Sequence, residues 1–104
     1  MEYDFVVIGS GSGGSIIASR LSENPNNSVL LLEGGPDYQN FEKIPEDIKL
    51  GYATGTHLAI YEHHDWGHTG LVGDYDEAKD REIRLPRGKI TGGSSSINGQ
   101  IFLR

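Results

Sequence analysis

Asp4-Phe-Val-Val-Ile-Gly-Ser-Gly-Ser-Gly-Gly14 decides the fold of this chain. Phe5 to Ile8 is a continuous apolar run, the pattern of a parallel strand covered on both faces. Gly9, Gly11 and Gly14 follow in the G-x-G-x-x-G spacing of a dinucleotide-binding turn. Each glycine has a physical task. Gly9 allows the sharp turn off the strand. Gly11 removes a Cβ that would hold the backbone away from a pyrophosphate. Gly14 lets the helix pack closely on the strand. Free N–H groups at the start of that helix then present partial positive charge to phosphates.

The context lifts this spacing above coincidence in a chain with 15 glycines. Gly14, Ile17, Ala18 and Leu21 lie on one helical face, and Asn24-Pro25-Asn26-Asn27 ends the helix. Val29 to Leu32 is a second apolar run. It closes on Glu33, nineteen residues beyond Gly14, close to the spacing of an acid that takes a ribose 2′-OH. The alternative to a ligand site is a buried glycine-rich turn, which explains neither the second strand nor the acid.

Outward from this unit, composition bounds the rest. The 104 residues make one domain at most. A formal net charge of −6 offers no attraction to a phosphate backbone or an anionic membrane, so neither nucleic acid nor membrane is expected as a partner. The absence of cysteine excludes a disulfide framework and any thiolate metal or nucleophile site. The first strand begins almost at Met1, and no apolar run approaches the roughly 20 residues of a membrane span; the expectation is a cytoplasmic protein. The expected fold class is α/β, the N-terminal part of a Rossmann-like domain: a parallel sheet with a crossover helix. Two such apolar strands call for helices on both faces and further strands alongside, so the unit is expected to be incomplete without further polypeptide.

Three stretches are expected: residues 1–35 as the βαβ unit, 36–82 as an irregular excursion, and 83–104 as a second ligand-contacting segment. Within the excursion a short helix is expected from near Pro45, with Ile48 inside and Gly51 as its stop. The acidic stretch from Gly73 to Asp80 reads as a solvated turn. His64 and His68 have the i, i+4 spacing of two helical metal ligands, but Asp65-Trp66-Gly67 between them is poor helix. His57, His63, His64 and His68 therefore read as loop histidines, and no metal is expected. Trp66 either plugs a small core of the excursion or lies against a ligand.

Ile83-Arg84-Leu85 reads as a short strand closed by Pro86. After it, Arg87-Gly-Lys-Ile-Thr-Gly-Gly-Ser-Ser-Ser-Ile-Asn-Gly99 packs glycines, serines and two cations into a short run. Accessible backbone donors and hydroxyls suit a phosphate or a polar ring edge, with Arg87, Gly88, Gly93 and Ser94 as candidates. The stretch is not a P-loop, because Ile90 follows Lys89 and no G-x-x-x-x-G precedes it. It holds no nucleophile elbow. Ile90, Ile97 and Asn98 argue against a flexible linker.

Together, Asp4 to Gly14, Leu32-Glu33-Gly34-Gly35, Asp65-Trp66-Gly67 and Arg87 to Gly99 resemble the glucose–methanol–choline (GMC) oxidoreductases, in order and across nearly all of the chain. The resemblance implies FAD, bound non-covalently, and oxidation of an alcohol by hydride transfer to the flavin. It implies pyrophosphate contacts for Ser12 and Gly13, a ribose contact for Glu33 with Gly34 beside it, and a cofactor contact for Trp66. Ser94, Asn98, Gly99, Gln100 and Ile101 match the loop that passes the flavin end. Three positions depart from the pattern. Gly34 stands where alanine is more usual, and Gln100 where a larger apolar residue is common. Ile97 stands where some members carry a flavin-linked histidine. The family's catalytic histidine has no counterpart here, so no catalytic residue is assigned, and a small alcohol and the remaining polypeptide of the same enzyme are the expected partners. The alternatives are an FAD-containing lyase, a non-catalytic nucleotide-binding fragment, and an NAD-dependent Rossmann enzyme that would leave Arg87 to Gly99 unexplained.

Overall fold

The computed structural model describes residues 1–49, 64–73 and 81–98. Strand β1 (Phe5–Ile8), helix α1 (Ser12–Ser22) and strand β2 (Val29–Leu32) form the expected βαβ unit. The strands are parallel and in register from Phe5 opposite Val29 to Ile8 opposite Leu32. Pairing continues one step further, where the Gly9 N–H donates to the Leu32 carbonyl at 2.7 Å. At the other end the Asp4 carboxylate accepts from the Ser28 N–H (2.8 Å) and hydroxyl (2.6 Å). The Asp4 N–H donates back to the Ser28 hydroxyl oxygen at 3.0 Å. The hydroxyl and backbone donors of Ser28 stabilise the ionised carboxylate and hold its pKa below the usual value.

Helix α1 returns onto the strands through Gly14 and Ala18. Any side chain at Gly14 would drive its Cβ into the Gly9 carbonyl, so this glycine sets the close approach of helix and turn. Ala18 is buried and Leu21 half-buried, but Ile17 of the same expected face stays 54% exposed beside Ile16 at 63%. One helix covers one side. Val6 (53% exposed), Ile8 (84%) and Leu32 (46%) keep the strands' apolar side chains open to solvent.

Beyond β2 the chain forms a 3-10 turn at Phe41–Lys43 and a short helix α2 (Glu46–Lys49). Helix α2 starts after Pro45, whose carbonyl accepts from Ile48 and Lys49, as the sequence led us to expect. Gly51, His57 and His63 lie outside the described residues, as do residues 74–80 of the acidic stretch. The sequence did not foretell β3 (Thr69–Leu71), which pairs antiparallel with β4 (Glu82–Arg84). A second 3-10 turn spans Gly93–Ser96. Behind it Ile90 and Ile97 form a small buried cluster, with Tyr38 and Ile48 packed against it. Among the described residues no helix is long and apolar enough to cross a membrane.

Candidate functional site: a cleft between two glycine loops

The two glycine-rich stretches, far apart in sequence, meet. The Gly92 N–H donates to the Ser10 carbonyl at 3.2 Å and approaches the Ser10 hydroxyl oxygen at 3.3 Å. Gly93 faces Gly11 so closely that a Cβ on Gly93 would lie 2.9 Å from the Gly11 Cα. Gly92 and Gly93 adopt φ of +91° and +61°, a left-handed pair that favours glycine and turns the loop back towards the first one. Between the loops, at the carboxyl ends of β1 and β2, lies a cleft of about 540 Å³. Ligands of open α/β sheets bind at this end of the strands.

The cleft is lined by Gly9, Gly11, Glu33, Gly34, Trp66, Arg87, Gly88, Gly93 and Ser94 of the residues singled out in the sequence. Ile8 and Leu32 line it as well. The sequence marks both only as strand residues; their position at the carboxyl end of a parallel strand is the available signal. Ser12, Gly13 and Gly14 belong to the first turn of α1 rather than to the cleft lining. Asn98 is exposed and outside the lining, while Gly99, Gln100 and Ile101 lie outside the described residues.

The glycine positions separate protein packing from ligand access. Gly14 is demanded by the Gly9 carbonyl, as described above. Gly11 is not demanded by anything in the protein: its φ is −68°, and an added Cβ would come no nearer than 3.9 Å to another residue, the Gly93 Cα. A Cβ at Gly13 meets nothing within 4 Å. Gly13, inside the first turn, gives up roughly 1 kcal/mol of helix propensity relative to alanine, whereas Gly11 is the N-cap, where glycine is well tolerated. Both positions leave room for close approach from outside the chain. Helix α1 has no side-chain cap and no acidic residue in its first turn. Its first intrahelical bond is Ser15 N–H to the Gly11 carbonyl, so the donors before it are directed out of the helix start. The site fits a pyrophosphate.

Glu33 closes the strand end. One carboxylate oxygen accepts from the Ser10 N–H (2.8 Å) and hydroxyl (2.7 Å), and the other accepts from the Gly35 N–H (2.9 Å). Burial works to raise its pKa, but the donors of Ser10, Gly35 and Gly34 outweigh it and hold the group below the usual carboxylate value. These donors keep the carboxylate ionised at the end of β2, on the wall of the cleft. Ser10, buried against Glu33, is a site-building residue the sequence reading missed; it occupies an x position of the motif, where spacing carries no information.

Trp66 is 49% exposed on the cleft wall and does not plug a core. Its segment is fixed by backbone pairing: the Trp66 N–H donates to the Arg87 carbonyl (3.0 Å) and the Lys89 N–H to the His64 carbonyl (2.8 Å). Asp65 accepts from the Arg87 N–H at 2.7 Å and pairs with Arg84 at 3.4 Å. On the far side of the second loop, the Ser94 hydroxyl oxygen accepts from the Gly88 N–H at 3.1 Å. His64 is buried, with Nε2 2.8 Å from the Tyr38 hydroxyl, and His68 is exposed. Among the described residues no three His, Cys, Asp or Glu side chains gather as a metal set.

No family model matches the chain. Curated relatives do. The oxygen-dependent choline dehydrogenase of Rhizobium etli (strain CIAT 652) is 42% identical over 105 residues, covering 100% of this chain and 18% of the relative. That of Vibrio vulnificus (strain YJ016) is 41% identical over 104 residues, covering 99% of this chain and 17% of the relative. The chain thus spans less than a fifth of these relatives' length. Among solved structures, pyridoxine 4-oxidase from Mesorbium loti superposes with a TM-score of 0.78 and 30% identity, over 99% of this chain and 18% of that one. A formate oxidase superposes with a TM-score of 0.71 and 35% identity, over 92% and 16%.

Proposed function

We propose, for a chain that belongs to the glucose–methanol–choline oxidoreductases as their N-terminal FAD-binding portion, that it holds FAD in the cleft of an enzyme that oxidises an alcohol. The observation that carries this reading is the pair of glycines at the start of α1, both with room for a Cβ and so not required by protein packing, beside a helix N-terminus with no side-chain cap. FAD, when bound, supplies the acceptor for hydride from the alcohol carbon.

This chain's residues supply binding and orientation. The α1 donors around Ser12 and Gly13 would hold the pyrophosphate. Glu33, ionised on the cleft wall, would take a ribose hydroxyl. Trp66 would cover a flat face of the nucleotide. Gly93 and Ser94 bring the second loop against the first and narrow the cleft from the other side. Asn98 to Ile101 would continue along the flavin end. Neither histidine among the described residues is placed to take the hydroxyl proton, since His64 is engaged by Tyr38 and His68 is not in the cleft lining; as the family resemblance implies, we assign that base to polypeptide other than residues 1–104.

The test is anaerobic addition of small alcohols to the purified yellow protein. Bleaching of the flavin absorption supports the oxidoreductase. A flavin that stays yellow with every alcohol while the protein turns over a cyanohydrin or similar adduct would favour a lyase on the same fold.

A further inference from the structure

The end of β2 carries two consecutive glycines, and each admits a different neighbour. A Cβ on Gly34 would lie 2.7 Å from Cη2 and 3.0 Å from Cζ2 of Trp66. A Cβ on Gly35 would overlap the backbone carbonyl of Lys89. Gly34-Gly35 is therefore a seat for Trp66 and Lys89 together. Trp66 is half exposed, so packing covers only part of its ring. The Lys89 ammonium lies 5.0 Å from the centroid of the indole, within cation–π range. Lys89 itself is anchored by its N–H on the His64 carbonyl. Among the described residues the ion pairs are Arg20–Glu23 and Arg84–Asp65, and Lys89 is in neither.

We propose that Lys89 is a positioning residue: it holds the Trp66 indole against Gly34 as the outer wall of the cleft, and Gly34 sets how deep the ring sits. This rests on the reading of the cleft as the FAD site only for its effect on cofactor affinity. The ring contact is made by the protein alone. Lys89 acts through Trp66, so removing its charge matters only while the indole is present.

The experiment labels the protein as isolated with 5-fluorotryptophan and assigns the Trp66 resonance as the one lost in Trp66→Phe. Lys89→Met is expected to move and broaden that resonance and to weaken FAD binding about two- to fivefold. Lys89→Arg keeps the cation and is expected to restore both. Lys89→Met placed on Trp66→Phe is expected to add no further loss of affinity. An unmoved Trp66 resonance in Lys89→Met overturns the proposal, and so does a loss that persists undiminished in the Trp66→Phe background. That second result would make Lys89 a direct partner of the cofactor. If the wild-type protein binds no FAD, the cofactor reading fails, and the fluorine resonance alone still decides the positioning role.

Discussion

Gly93 is pressed onto Gly11: a Cβ at position 93 would lie 2.9 Å from the Gly11 Cα, whereas a Cβ at position 11 would stand 3.9 Å from the Gly93 Cα. The contact is asymmetric, and that separates two substitutions. Gly93→Ala must carry a side chain at φ +61° into the opposing backbone. It should destabilise the protein by about 1–3 kcal/mol and loosen FAD as well. Gly11→Ala meets only ordinary van der Waals distance and a φ that any residue adopts. Its melting temperature should stay near wild type while FAD affinity falls at least about tenfold, the equivalent of roughly 1.4 kcal/mol. Thermal melts and FAD titrations of the two variants read this directly. Equal FAD affinity in Gly11→Ala and wild type would show that Gly11 does not face the cofactor.

Glu33 accepts from Ser10 and Gly35, and pH tests its ionised form. Its hydrogen bonds depress the pKa below the ordinary value of 4.5. A depressed carboxylate contributes stability that is fully present above its unfolded value and is lost as pH falls through the folded one. FAD should therefore be held without change from neutrality down to about pH 5 and released as pH drops below the ordinary glutamate range. Glu33→Gln should abolish that step. Glu33→Ala should weaken FAD by about 1.5–3 kcal/mol, since it removes a charged acceptor and frees Ser10. Flavin fluorescence on dilution, followed against pH, measures all three.

Much of this was legible in the residues. The strand limits Phe5–Ile8 and Val29–Leu32 follow from apolar runs bounded by Gly9 and Glu33, because burial on both faces leaves a continuous signal. The strand Thr69–Leu71 was not legible. It is three residues long, contains Gly70 and pairs with a partner eleven or more residues away, so neither period nor propensity marks it. A Cβ at Gly70 would come 2.8 Å from Leu85 Cδ1, a contact between strands that no local pattern encodes. In the site, the motif glycines announced themselves by spacing, while Ser10 and Leu32 did not. Their roles come from where the strands end relative to the second loop.

The family resemblance places Ile97 where some members carry a flavin-linked histidine, and Ile97 is 4% exposed against Ile90. Its side chain belongs to the small core behind the second loop. FAD should consequently be released intact by acid precipitation, leaving the colour in the supernatant. A yellow pellet containing a peptide of residues 1–104 heavier by one flavin would refute this.

Residues 1–104 expressed alone should not melt cooperatively. Val6, Ile8, Ile16, Ile17 and Leu32 are each 46–84% exposed. Each large side chain left wet forfeits roughly 1.5–3 kcal/mol, against a total stability of about 5–15 kcal/mol for a typical domain. Calorimetry and amide exchange of the isolated segment check this. A sharp transition with protected amides in both strands would show that the segment is self-sufficient.

The central claim is that the cleft between the two glycine loops holds FAD, and the most direct measurement is flavin content per chain in the purified enzyme that carries residues 1–104 together with its remaining polypeptide, wild type beside Gly11→Ala. The account predicts a flavin absorption spectrum at one FAD per wild-type chain, released as FAD on denaturation. It predicts a Gly11→Ala protein that is folded, has an unchanged melting temperature without cofactor, and retains little flavin. A folded wild-type protein that is colourless and takes up no FAD on titration would contradict it.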